Sequence, residues 1–521
     1  MRGSAVVVCA VLCGVVALAA PGVARADVGF QGPGDGAGTS GSPSGNKPEN
    51  KLWWNDGFWW ASMFSPATGS YSIFRLNMRT QTWSNTGVQI DTRDSTRQDA
   101  LSLGSKLLVA SHKFQEVTVH DSTPVPEDEA RLYRFSYNAA TNTYSPDGFT
   151  VIDGQRSEAL TIDRDSNGAI WATWVQEDSG GAHQAYARKT GDACTTGPLG
   201  NCSFGSVVVL DSDVSADDLS AIVRFGADKV GVMWTDTSDA SVPAIAVLRF
   251  AVHNDADPVG TWTVETVVSA DKAVDDHLSI KADSLGRVYA VTKTKFSRPV
   301  NPGTRLHRRD AAGNWSTFPV SHAGLERTRP ILLLDPQHNR IRVFEGTAHP
   351  TNDPTIFMKS SALGAISFPT ASPGAPVIQD VGSNLVNPSS TKQNISNGTR
   401  QIVIATNPNT RRYWHAYQQI VPCIRGTAGN NVLVGTNGND VLCGLGGRDT
   451  IRSLGGHDRL VGGPGNDTLV GAGGRDTYIG GSGNDTIYSR DTFREVVSGG
   501  VGFDRARVNR SDVRRSIERL F

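Results

Sequence analysis

This 521-residue chain is poor in charge, in long apolar runs and in helical periodicity. Charged residues make up 19% and nearly cancel, leaving a formal net charge of −1, so nothing in the balance recruits nucleic acid or an anionic membrane. Beyond the N-terminal segment no stretch approaches the ~20 apolar residues that a spanning helix needs, and no transmembrane segment is expected. No stretch carries the spacing of an amphipathic helix. The zinc motif HExxH, the GxSxG elbow, the P-loop and the CxxC pair are all missing, which removes the zinc-protease, serine-hydrolase, nucleotide-binding and dithiol classes. Tryptophan is missing after Trp414, so all 11 belong to the region before residue 421. What is abundant is 56 Gly and 25 Pro, the composition of β-rich, turn-rich secreted material.

The first residues set the expected compartment. Arg2, an apolar run from Ala5 to Ala20, Pro21 and the small-residue site Ala24-Arg25-Ala26 form a secretory signal peptide over 1–26, with cleavage before Asp27. Cys9 and Cys13 leave with it. Four cysteines remain, and an even, locally paired count in a secreted chain reads as the disulfides Cys194–Cys202 and Cys423–Cys443, with free structural thiols as the alternative. Residues 27–48 are rich in Gly, Ser and Pro and read as a flexible linker.

A long-period repeat occupies 49–420. QDALSLGSKLLVASH, SEALTIDRDSNGAIWATWV, ADDLSAIVRFGADKVGVMWTD and DDHLSIKADSLGRVYAVTK share an acid two residues before an apolar residue, a strand, a turn and a second strand. Their leading residues Leu101, Leu160, Leu219 and Leu278 lie 59 apart, and weaker copies begin near Leu52, Ile331 and Ile402. About four strands per unit with short protected edges describe a β-propeller of about seven blades, six if the last copy is misread; a two-sheet sandwich is the alternative. The turns DRDSNGAIW and ADSLGRVYA resemble the Asp/Gly hairpins of propellers and, in part, the sialidase Asp-box, whose leading Ser and spacing they lack.

Inner strands of a propeller begin near the axis, so Asp99, Glu158, Asp217 and Asp276 are expected to converge on one rim. Arg97, Arg156 and Arg327 stand two positions earlier, and Arg329 takes the acid position of its own blade. Three readings stand: backbone acceptors that join blades, a cation site, or a general acid/base pair with an arginine clamp acting on acidic sugars. Catalysis should break the repeat's symmetry, and only Glu158, the lone Glu, and Arg329 do so. His112, Glu116 and His120 would share one side of a strand, as metal ligands or as solvated residues. Trp53, Trp54, Trp59 and Trp60 read as a sugar platform or as filling between blades.

Residues 426–488 are seven consecutive nonapeptides: GTAGNNVLV, GTNGNDVLC, GLGGRDTIR, SLGGHDRLV, GGPGNDTLV, GAGGRDTYI and GGSGNDTIY. Each is a Gly-rich turn with an acid at position six and an apolar residue at position eight. This spacing resembles the RTX (haemolysin-type) calcium-binding repeat GGxGxDxUx. The resemblance implies a parallel β-roll over 423–488, in which a turn faces the turn two repeats on and carboxylates with backbone carbonyls supply the six to eight oxygens that Ca²⁺ needs. The implied ligands are Asp440, Asp449, Asp458, Asp467, Asp476 and Asp485, paired 440 with 458, 449 with 467, 458 with 476 and 467 with 485. Asn431 stands where the first acid belongs and makes a weak site; Ser453 replaces Gly and strains the fourth turn. GGVGFDRAR at 499–507 looks like a displaced repeat with Asp504 in the acid position, inside an Arg-rich tail over 489–521 read as a cap or an anion-binding tail.

The chain is thus expected to be all-β, a propeller followed by a calcium roll, and secreted. The favoured function is a calcium-binding protein, not an enzyme, whose roll folds on extracellular Ca²⁺ and whose propeller binds a surface glycan or protein. The alternative is a polysaccharide-active hydrolase or lyase, sialidase-like in fold, with a calcium-binding appendage. The signal peptide implies Sec-like export, unlike the one-step C-terminal route typical of the RTX family. Oligomeric state leaves no mark on the sequence.

Overall fold

The computed structural model describes residues 29–34, 44, 48–116, 119–191, 194–237, 245–295, 301–347, 355–380, 385–396, 401–418, 423–438 and 440–521. The expected signal peptide and most of the 27–48 segment lie outside them. Seven four-stranded antiparallel sheets make the propeller, and two six-stranded parallel sheets make the roll. Among the described residues the only helical elements are three short 3₁₀ segments.

The blades begin with the inner strands Leu52–Asn55, Thr96–Ser102, Leu160–Arg164, Ser220–Phe225, Leu278–Ala282, Arg327–Asp335 and Val386–Ser389. There are seven, not six. The copy near Ile402 is the second strand of blade seven, Gln401–Asn407, and its inner strand carries no trace of the repeat. Strands alternate faces, so each blade offers one apolar face to each neighbour. The result is a closed ring of seven inter-blade cores. The tryptophans follow this alternation: Trp53 and Trp60 pack toward blade two, and Trp59 toward blade seven. All three are at most 1% exposed, so they fill the spaces between blades and form no platform.

The ring closes through the expected linker. Phe30–Gly34 is the outermost strand of blade seven, antiparallel to Arg412–Gln418, with Phe30 opposite His415 and stacked on it at 5.2 Å. The Gly and Pro content of this segment masked a strand whose partner lies at the other end of the propeller. Cys194 and Cys202 form the expected disulfide. Cys443 is also disulfide-bonded, while the side chain of Cys423 lies outside the described residues.

The roll stacks Leu433, Leu442, Ile451, Leu460, Leu469, Tyr478, Ile487, Val497 and Ala506 in its core. It does not stop at 488. Val496–Val501, Arg505–Arg507, Val513–Arg515 and Arg519–Leu520 continue both sheets, so the tail read as a cap is further roll. Strain in the Gly-poor turns falls on Leu445 (φ 77°) and Leu454 (φ 69°), the residues after Gly444 and Ser453, and not on Ser453 itself.

Two buried histidines give the propeller a defined acid sensitivity. His307 bonds Thr292 at 3.0 Å and Thr317 at 2.9 Å, and burial pushes it down to about 3. The Trp83 indole donates to His415 Nδ1 at 3.3 Å, and burial holds that ring at about 4. Both folded values lie below the unfolded one, so their stabilisation is fully present above about 6.5 and is lost as pH falls toward 4. Asp218, pushed up to about 6 by burial, acts in the opposite sense. Thermal melts should therefore show a fall in Tm of several degrees between pH 7 and 4, and His307→Gln should flatten the profile. An unchanged profile in the variant would contradict this assignment.

Candidate functional site

In the roll, each repeat's acid uses one oxygen to hold the backbone. The amides of Asn431, Asp440, Asp449, Asp458 and Asp467 donate to Oδ1 of Asp449, Asp458, Asp467, Asp476 and Asp485, all at 2.8–2.9 Å. This is the two-repeat pairing that the nonapeptide period implies. The ladder then runs on through Asp504, the acid of the displaced repeat, and through Glu495, Asp512 and Glu518, which the period did not mark. The Asp476 amide donates to Glu495 at 2.6 Å, Asp485 to Asp504 at 2.8 Å, Glu495 to Asp512 at 3.0 Å and Asp504 to Glu518 at 2.8 Å. One inserted residue after Tyr488 and Glu in place of Asp hid Glu495 and Glu518; an acid two before an apolar residue (Glu495, Val497) was the available signal.

The other oxygens face a cradle. Oδ2 of Asp449, Asp467, Asp485 and Asp504 and Oε1 of Glu495 are buried without a hydrogen-bond partner. A Cβ on Gly462 would fall 2.3 Å from Asp467 Oδ2 and 2.5 Å from the Gly480 carbonyl, so this glycine leaves open a space where a carboxylate and a carbonyl from successive turns converge. Gly465, at φ 140°, brings its turn against the Gly447 carbonyl, an approach that no side chain permits. Hard oxygens of both kinds around one gap are the donor set of Ca²⁺, and the residues fit it. Burial first, then the neighbouring carboxylates, raises these acids. Asp458, Asp467 and Asp504 lie above the usual carboxylate range, Asp476 and Asp485 are pushed up to about 6, and Glu495 to about 7. A divalent cation removes that repulsion. The first turns differ: Asp440 Oδ2 accepts from Thr436 N and Oγ1 at 2.6 and 2.9 Å, and Asn431 Oδ1 from Thr427 N at 2.6 Å.

In the propeller, Glu158, Asp217 and Asp276 converge at the start of their inner strands, with ligand oxygens within 4.8 Å of one another. Asp275, Asp276 and His277 form a second group sharing Asp276, and His277 Nδ1 lies 2.5 Å from Asp276 Oδ1. Arg329 enters this field: Asp276, Glu116, Glu158 and Asp275 pull its pKa up, and burial draws it below the usual arginine value. It sits in a β-bulge with φ 49°, a conformation that re-aims the side chain.

The remaining candidates are placed elsewhere. Asp99 accepts from Asn50 N and Ile162 N at 2.8 Å each and pairs with Lys392 at 2.8 Å. Thr161 and Ser279 play the same part, accepting from Ile222 N and Leu332 N in the next blades. Asp99 is therefore in line with them and not with Glu158 and Asp276; blade two has a shorter first hairpin, which the constant spacing concealed. Arg97 lies over Phe114, Arg156 pairs with Asp128 at 2.7 Å, and Arg327 lies over Phe357 at 3.8 Å. His112 is bound to Glu49 at 2.5 Å, while Glu116 is exposed.

The axis is filled. Glu49 meets His112 and the Leu160 amide, and Lys51 donates to Glu49 at 3.2 Å and to the Gln98 carbonyl at 2.6 Å. Asn50 joins Asp99 to Lys281, whose Nζ lies 2.8 Å from Asn50 Oδ1. The segment ahead of blade one thus plugs the ring with buried, paired polar groups.

Among solved structures the chain is similar to a protein of unknown function from Dyadobacter fermentans DSM 18053 (14% identity, 60% of this chain and 92% of that one, TM-score 0.40). It is similar also to an ulvan lyase of polysaccharide lyase family PL25 (13%, 73% and 96%, TM-score 0.47). A third is a Hadza microbial sialidase (10%, 70% and 74%, TM-score 0.38). Similarities this distant say nothing of substrate. No curated protein matches the sequence significantly. The family model of the RTX calcium-binding nonapeptide repeat matches residues 424–451 and 453–487 in four copies, and this part of the chain is an RTX calcium-binding repeat module.

Proposed function

We propose that this is a secreted calcium-binding protein whose roll completes its folding on extracellular Ca²⁺ and whose propeller is a binding module for a surface glycan or protein. The observation that supports the first half most strongly is the row of buried carboxylate oxygens without partners, from Asp449 to Asp504. Asp449, Asp458, Asp467, Asp476 and Asp485, continued by Glu495 and Asp504, are the proposed ligands; Asp440 and Asn431, held by threonines, are weaker ones. Because the site exists only when successive turns are stacked, metal binding becomes folding free energy. Titration of the full chain with Ca²⁺ should raise the Tm of the roll, by the equivalent of about 2.7 kcal/mol at one hundred times Kd. Gly462→Ala and Asp467→Asn should each remove at least one bound ion in calorimetry. A roll that melts identically in EDTA and in Ca²⁺ would sink the idea.

Export is supported by the N-terminal run, the small-residue site before Asp27 and the Cys194–Cys202 disulfide. Mass spectrometry of the protein from culture medium should find Asp27 as its first residue; an intact Met1 in a cell-retained product would refute it.

The plugged axis supports binding over turnover in the propeller. A second reading, a polysaccharide-active hydrolase or lyase, draws on Glu158, Asp217 and Asp276 beside Arg329, an arrangement that among the described residues only these blades carry. Turnover of uronate- or sialate-bearing polysaccharides that Glu158→Gln reduces by ~100-fold or more would establish it; equal, background rates in both proteins would dismiss it.

A further inference from the structure

A funnel of about 390 Å³ opens at the end of the axis opposite to Glu158 and Asp276. Those acids precede their inner strands, whereas the funnel is lined by the far ends of the strands: Arg164, Arg224 and Ala282, with Trp53 and the 391–394 segment completing the wall. Its charge is of the other sign. Arg164, Arg224 and Lys392 face it, and Lys281 lies close enough to Lys392 for the two charges to repel.

These cations are not fully committed. Among the described residues the guanidinium of Arg164 makes no ion pair or hydrogen bond. Arg224 gives one bond, to the Ala227 carbonyl at 3.2 Å, and its buried Nε has no partner. Lys392 alone is paired, with Asp99. Two carboxylates share the wall and both are engaged. Asp163 is turned onto the amides of Arg164 and Arg224 at 2.8 Å each, with burial raising it toward its neutral form. Asp283 accepts the Leu285 and Arg287 amides and pairs with the Arg287 guanidinium at 2.6 Å. Two arginines with free donors, a lysine and an apolar wall are the elements that hold a planar oxyanion. A cavity of this volume lies at the lower end of the size range of small-molecule sites.

We propose that this funnel binds a small organic anion, a ligand of one or two sugar-sized units bearing a carboxylate or sulfate, through Arg164, Arg224 and Lys392. The inference rests on reading the propeller as a binding module and is independent of the calcium sites.

Calorimetric titration of the full secreted chain with sodium glucuronate, sodium sulfate and glucose tests it, in Ca²⁺ and again in EDTA. Glucuronate should bind in both buffers at least ~10-fold more tightly than glucose, and weaken at high salt. Sulfate binding as strongly as glucuronate would assign the site to a free inorganic anion and overturn the organic ligand. Arg164→Gln, Arg224→Gln and the exposed Ser284→Glu should each weaken glucuronate about 10-fold or more with unchanged Tm, while Asp217→Asn at the other end should not. Absence of anion binding below ~10 mM, or affinities untouched by all three substitutions, would refute the site. Loss of the calcium response alone would leave it standing.

Discussion

A carboxylate oxygen accepting a backbone N–H is the interaction on which both modules depend. A chain with almost no helix must satisfy many amides outside its strand ladders. Here short acidic side chains do much of that work. In the hairpins, Asp165 receives the amides of Asn167 and Ala169, and Asp283 those of Leu285 and Arg287. Between blades, Asp99 and Asp163 receive amides of the next blade. In the roll, each repeat's acid receives the amide of the acid two repeats before it. The net charge of −1 conceals how many of the acids are structural.

The difference between the modules lies in the second oxygen. Asp99 spends it on Asn50, inside a buried plug where Lys392 supplies the counter-charge. Asp449, Asp467 and Asp485 have no such neighbour, and their second oxygens are enclosed by the turn two repeats on. Burying carboxylates this way raises their proton affinity, as Asp476, Asp485 and Glu495 show. Among the described residues the stacked turns thus hold carboxylates against one another with no cationic side chain between them to offset the repulsion. A divalent cation would offset that repulsion, which is the physical ground for the proposed calcium dependence.

What could be read from the residues follows the same logic. The nine-residue period was legible because Gly, Asp and one apolar position each have a separate physical job, and it failed after Tyr488, where an inserted residue and Glu495 preserve the jobs but break the count. The propeller was legible from Leu160 and Leu278, whose hairpins match. It misled at Asp99, since a shorter hairpin shifts the phase without disturbing the pattern of apolar residues. Phe30–Gly34 was invisible: a strand recognised only through His415 and Trp414, at the far end of the propeller, has no local signature beyond Phe30. Arg329 was noticed as an exception, but its place among Glu158, Asp276 and Asp275 depends on a bulge that no spacing encodes.

The plug then limits where the propeller can act. With Glu49, Asn50 and Lys51 seated across the axis and bonded to blades two, three and five, the two mouths are separate sites and not the ends of one channel. One mouth gathers carboxylates beside Arg329; the other gathers two arginines and a lysine around Asp163, which burial holds toward neutrality, and Asp283, which Arg287 neutralises. Opposite fields at the two ends would disfavour the same ligand at both, because a like-charged group entering either would meet repulsion in a partly desolvated space. The anion binding proposed at the basic end and the alternative chemistry proposed at the acidic end are therefore separable hypotheses, and each must be tested with its own ligand.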